Sequence, residues 1–168
     1  SDTADPGWER MVRGMAQLAA HGERVGACVA IETGPEPPRI VRRLIETVGS
    51  EAIRVNYDPA NLVIWPALLA KKRGEQYDRD LAWRQFEPVE GATTLGEFVV
   101  HCHAKDAVVT CDGRHQEVPP GTGWIDFERW VSILDHEFGY TGFYAIEREV
   151  GDDPVGDIHA AVEFLRGL

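Results

Sequence analysis

The chain has 168 residues, 28 acidic against 17 basic, a formal net charge of -11, and 43 % hydrophobic residues. This is the length and make-up of one soluble globular domain, spanning 1–168, and the acidic balance excludes a large nucleic-acid footprint, which needs a basic surface. Cys28, Cys102 and Cys111 are too few and scattered for a disulfide framework or a CxxC zinc site, which favours a reducing cytoplasm, and no apolar run reaches the roughly 18 residues of a membrane helix.

Residues 1–6, SDTADP, are polar and turn-prone. A helix is predicted next, because Trp8, Met11, Val12, Met15, Leu18 and Ala19 recur at three- and four-residue spacing, and His21-Gly22 is predicted to stop it. The run Val25 to Ile31 reads as a strand covered on both sides, with Cys28 as a small apolar residue, and it ends at Glu32. Taken alone, Glu32 reads as a solvated residue at the start of a loop.

Pro35 to Pro38 opens a second helix carrying Ile40, Val41, Leu44, Ile45 and Val48, with Gly49 after it. The second strand, Ile53 to Tyr57, alternates. Ile53, Val55 and Tyr57 form an apolar face suited to helices, whereas Arg54, Asn56 and Asp58 form a polar face suited to a site or a barrel interior. Asp58 also reads as an N-cap before Pro59, a role compatible with being a ligand. A third helix is predicted from Pro59 to about Lys72. Residues 74–97 read as a long connection with some helix.

Phe98 to Ala107, FVVHCHAKDA, is an apolar run that opens abruptly into polar residues. Alternation puts His101 and His103 on one face and Cys102 on the other. Residues 107–118 read as a strand or small hairpin around Asp112-Gly113, and the GTG of Pro119 to Gly123 is weak evidence for phosphate binding. Asp126 caps a helix that Gly139 stops, a last strand runs from Gly142 to Ile146 into Glu147-Arg148-Glu149, and a final helix spans about Pro154 to Arg166.

Strand-helix units therefore repeat with no tight hairpin between the main strands, which implies a parallel sheet with right-handed crossovers. Glu32, Asp58, the His101/His103 pair and Glu147 each stand at the carboxyl end of a strand, where α/β folds build their sites. Four polar strand ends in one parallel sheet converge in space.

In these segments, IETG (Ile31 to Gly34), VNYDPANL (Val55 to Leu62), HCHAKDA (His101 to Ala107), PPGTGWIDF (Pro119 to Phe127) and GYTGFYAIEREVGDDPVGDI (Gly139 to Ile158), the chain resembles the xylose isomerase-like (β/α)8 TIM barrels of the sugar phosphate isomerase/epimerase superfamily. The resemblance implies an α/β fold, here a partial barrel of about five βα units with the first three absent, in a chain that is a fragment or is completed by another chain. It implies one divalent metal, Mn, Mg, Co or Zn, held by Glu32, Asp58, His103 and Glu147, with His101 the second choice of histidine. It implies catalysis by Glu32 and Glu147, which remove and return a proton beside a carbonyl through an enediolate, and substrate contacts from Asn61, Lys105 and Arg148.

The expected activity is a sugar or polyol isomerase or epimerase. The alternatives are a dehydratase of keto-inositol or dehydroshikimate type, or a catalytically inactive half-barrel that serves as an assembly module. An abasic-site endonuclease, with His115 and Glu117 as extra ligands, ranks lower because Asn61 replaces an expected histidine and the chain is acidic. The expected partners are a small sugar or polyol and either a second copy or a complementing N-terminal half-barrel, with no nucleic acid and no membrane.

Overall fold

The computed structural model of the chain describes residues 6–168. The polar stretch predicted for residues 1–6 thus lies, but for Pro6, outside the described residues. A long helix, α1 (Pro6–Val25), leads into β1 (Val29–Glu32), α2 (Pro38–Val48), β2 (Ile53–Tyr57) and α3 (Pro59–Arg73). Two short helices, α4 (Arg79–Phe86) and α5 (Pro88–Leu95), then precede β3 (Val99–Ala104). The chain continues through β4 (Asp106–Val109), β5 (His115–Val118), α6 (Phe127–Ser132), β6 (Tyr144–Ile146) and α7 (Pro154–Arg166).

Four strands form one parallel sheet in the order β1-β2-β3-β6, the α/β layout of a partial barrel, and β4 and β5 pair separately as an antiparallel hairpin. The sheet thus has four strands where about five βα units were expected, because residues 106–118 fold back on themselves instead of crossing over. The predicted alternation of β2 holds: Ile53, Val55 and Tyr57 are buried on the helix side, and Arg54 and Asn56 are half-buried on the other. The core continues through Leu62, Val63, Leu95, Cys102, Trp130 and Leu134.

Local chemistry sets most boundaries. Asp58 caps α3, accepting from the Asn61 N–H at 3.1 Å, and Gly49 closes α2 in the left-handed conformation at φ 66°. His21-Gly22 does not stop the first helix, which runs on to Val25. Gly22 is needed there for closeness: a Cβ would stand 2.5 Å from the Ala27 carbonyl oxygen. Cys28 lies before β1 and is exposed, whereas Cys102 is buried in β3 as expected. The last turns after α6 widen into a π-helix over Ile133–Glu137. Among the described residues, no helix is long and apolar enough to cross a membrane.

One irregularity matters for the site. Val55 pairs with Val99, but Asn56 pairs with His101 and Tyr57 with Cys102, so β3 carries one extra residue, Val100, opposite β2. In an unbroken ladder the partner of Tyr57 would be His101, and both histidines would point to the helix side. The bulge reverses that parity and brings His101 and His103 onto the face of Asn56.

Candidate metal centre

Glu32, Asp58, His103 and Glu147 stand at the carboxyl ends of β1, β2, β3 and β6, and one potential ligand atom from each lies within 4.8 Å of the others. His103 Nδ1 sits 3.0 Å from Glu147 Oε2, 3.7 Å from Asp58 Oδ2 and 3.8 Å from Glu32 Oε1. The cluster includes His103 and leaves out His101, whose ring stacks edge-on against it at 5.6 Å.

The four residues differ in how they are held. Asp58 is wholly buried: Oδ1 caps α3, and Oδ2 has no hydrogen-bond partner. The ends of β1 and β2 are joined by the buried Thr33 hydroxyl, which bonds both the carbonyl and the N–H of Asp58. Glu32 is about half open, its side chain 46 % exposed, and accepts a 2.8 Å hydrogen bond from Asn61 Nδ2. Glu147, 31 % exposed, receives Lys105 Nζ on Oε2 at 3.2 Å. Two of the four residues, Asp58 and His103, thus form a closed floor, and two, Glu32 and Glu147, an open rim.

The electrostatics follow from three carboxylates around one imidazole. Burial, with the charge of Asp58 beside it, raises the Glu32 pKa above the usual carboxylate value. The Asp58 carboxylate, followed by the charges of Glu147 and Glu32, raises that of His103 against the opposing effect of burial. A fully buried carboxylate oxygen with no partner is costly, and the histidine nitrogen facing it also lacks a hydrogen bond. A divalent cation among them would satisfy both. The oxygen-rich donor set, three carboxylates and one nitrogen, fits Mn²⁺, Mg²⁺, Co²⁺ or Zn²⁺ and not a structural thiolate zinc site.

The remaining predicted residues lie around this cluster. Asn61 binds Glu32. Lys105, 4 % exposed, lies among Glu147, Glu149 at 2.6 Å and Glu117 at 3.6 Å. The Arg148 guanidinium is held by two carboxylates outside the four-residue cluster, Glu117 at 2.9 Å and Asp157 at 2.7 Å. Glu117 is thereby occupied by Lys105 and Arg148, and His115 is exposed on the hairpin. The Gly-x-Gly turn does not cradle a phosphate. It wraps the buried carboxylate of Asp106, which accepts from the N–H groups of Ala107, Gly121, Gly123 and Ile125 at 2.7–3.2 Å.

Two contributors escaped the sequence reading. Thr33 gave no signal beyond its place after Glu32. Asn56, on the polar face of β2, now lies 3.2 Å from His103 Nε2 through Nδ2; the polar alternation of β2 could have singled it out.

The chain matches the family model described as xylose isomerase-like TIM barrel over residues 1–168. It is similar to the crystal structure of a xylose isomerase domain protein from Planctomyces limnophilus, at 28 % identity and a TM-score of 0.79, covering 99 % of this chain and 55 % of that one. A 3-keto-D-glucoside 4-epimerase from E. coli (15 % identity, TM-score 0.68, 100 % of this chain and 57 % of that one) shares the fold. So does a D-tagatose 3-epimerase-like protein (17 %, TM-score 0.64, 98 % and 57 %). The chain therefore spans little more than half the length of these structures. No curated protein matches it.

Proposed function

The chain belongs to the xylose isomerase-like TIM-barrel family, and on that footing we propose that it forms the catalytic portion of a metal-dependent sugar or polyol isomerase or epimerase. The observation that carries this reading is the convergence of Glu32, Asp58, His103 and Glu147 within 4.8 Å, with a buried Asp58 oxygen that has no other partner. These four residues would hold one divalent ion. When bound, such an ion supplies Lewis acidity, polarising a carbonyl and its neighbouring hydroxyl and so acidifying the C–H between them.

The protein's own groups do the rest. Asp58 and His103, on the closed floor, fix position. Glu32 and Glu147, on the open rim, reach a substrate from two sides: Glu32 takes the proton from carbon and Glu147 returns one. The raised Glu32 pKa suits a base, because it moves proton affinity towards that of working pH. Asn61 and Lys105 each lie one hydrogen bond from a catalytic glutamate, and we assign them to the rim that meets substrate hydroxyls. Arg148, bound to Glu117 and Asp157, supports that rim from behind.

The test is turnover of ketose and keto-polyol substrates with Mn²⁺ by the wild type, Glu32→Gln and Glu147→Gln. The expected result is a product of equal mass from the wild type and no turnover from either folded variant. Activity retained in both variants would end the assignment of the glutamates, and a product lighter by one water would move the reaction to a dehydratase. A wild type that binds no divalent ion would leave only the assembly-module reading.

A further inference from the structure

Behind the ligand cluster, two buried polar atoms of neighbouring residues lack hydrogen bonds: Asn56 Oδ1 and His103 Nδ1. The same two side chains meet through their other polar atoms, Asn56 Nδ2 and His103 Nε2, at 3.2 Å. These observations are linked. With an amide N–H₂ against it, Nε2 must accept, so a neutral imidazole carries its proton on Nδ1. That proton then occupies the nitrogen facing Glu147, Asp58 and Glu32.

A half-turn of the Asn56 amide exchanges its oxygen and nitrogen within almost the same outline. Oδ1 then accepts from a protonated Nε2, and the Nδ1 lone pair is left free towards the three carboxylates. Metal-bound histidines generally hold their second nitrogen in this way, by donating from it to a fixed acceptor. We infer that Asn56 is a positioning residue that selects the Nε2–H tautomer of His103, its amide turning from donor to acceptor when Nδ1 takes up a cation. The inference rests on the metal-centre reading above. The fold prepares the contact: Asn56 pairs with Glu32 on one side and, through the Val100 bulge, with His101 on the other, which sets it diagonally beside His103.

The test is calorimetric titration of Mn²⁺ into the wild type, Asn56→Ala and Asn56→Asp, with long-range ¹H–¹⁵N NMR of the histidine rings in the Zn²⁺-loaded wild type. Asn56→Ala is expected to bind Mn²⁺ about 10–100-fold more weakly, the usual effect of removing such a support. Asn56→Asp, which can only accept, is expected to bind at least as tightly as the wild type. The loaded wild type should show His103 protonated on Nε2. Equal affinity in Asn56→Ala, loss in Asn56→Asp as large as in Asn56→Ala, or a loaded His103 with Nε2 unprotonated would each overturn the inference while the metal centre stands. A wild type that takes up no ion would overturn both. Should Asn56→Ala fail to fold, Asn56→Asp and the wild-type NMR spectrum still decide.

Discussion

The Thr33 hydroxyl donates to the Asp58 carbonyl oxygen at 2.7 Å and accepts from the Asp58 N–H at 2.8 Å, so one buried side chain joins the ends of two neighbouring strands. Glu32 precedes Thr33 in the chain, and the joint therefore sets the spacing of two members of the cluster. Thr33→Val keeps the shape and leaves the buried Asp58 N–H without an acceptor, while the Asp58 carbonyl keeps its place as the N-cap acceptor of α3, at a cost of about 1–3 kcal/mol. The expected outcome is a lower midpoint in urea denaturation and weaker Mn²⁺ uptake by calorimetry. Thr33→Ser, which keeps the hydroxyl, should retain most of both.

The pH dependence of stability should reverse when a cation is added. Glu32 and His103 both have raised folded-state pKa values relative to 4.5 and 6.5. A raised value means that the folded chain holds the proton more tightly. Its stabilising contribution is full below pH 4.5 for Glu32 and below 6.5 for His103, and is lost as pH rises through the raised folded values. The metal-free protein should therefore lose stability from these groups as pH rises above 4.5 for Glu32 and above 6.5 for His103, as uncompensated carboxylates are left facing one another. With saturating Mn²⁺ the same rise in pH should bring a gain, because protons no longer compete for the ligands. Denaturation midpoints against pH, with and without Mn²⁺, measure the two slopes; parallel slopes would count against a cation at this cluster.

Much of this layout was legible because strand alternation and helix caps are local. Ile53, Val55 and Tyr57 declare the helix side of β2, Asp58-Pro59 announces a helix start, and the polar strand ends mark one rim of the sheet. The Val100 bulge was not read, although two successive valines before His101 break a strict alternation. The helices at 79–95 were read only as some helix within a long connection, for a different reason. In α5 the buried residues are Pro88, Val89, Gly91, Ala92 and Leu95, small and turn-like, because the packing is tight: a Cβ on Gly91 would lie 2.5 Å from the Tyr57 hydroxyl and 2.9 Å from Leu62. The ion pairs of Arg148 with Glu117 and Asp157 were not legible, because nothing in the local pattern around Arg148 announces partners on the hairpin and on α7.

Those ion pairs lead to a prediction about α7. Glu117 accepts from Arg148 Nη1 and from the Glu149 N–H, both at 2.9 Å, and both side chains of the ion pair are nearly buried. Glu117→Ala leaves the nearly buried Arg148 guanidinium with Asp157 in place of two carboxylates, takes the acceptor from the Glu149 N–H, and weakens the hold on Lys105. Removing one partner of a buried pair costs about 3 kcal/mol or more. Hydrogen exchange should show the loss concentrated in β6, the segment after it and α7, with β1 and β2 little changed. A uniform loss would mean that the network does not hold α7 in particular.

The last prediction concerns the turn that looked like a phosphate loop. Asp106 Oδ2 accepts from Gly121 and Gly123, and Oδ1 from Ala107 and Ile125, so both carboxylate oxygens are used up by backbone donors. Gly123 is required by space: a Cβ there would run into the Asp106 carboxylate and stand 2.8 Å from the Ala107 carbonyl oxygen. Gly121 is required by conformation, at φ 87°. Asp106→Asn turns an –NH₂ group towards at least one pair of N–H donors and should cost about 2–4 kcal/mol; Gly123→Ala should cost a similar amount by displacing the loop. Lys105 precedes Asp106 and bonds Glu147, so loosening the turn should also loosen Lys105 and weaken Mn²⁺ binding in both variants. Inorganic phosphate, by contrast, should neither raise the melting temperature of the wild type nor rescue either variant, because the N–H groups that would receive it already serve Asp106.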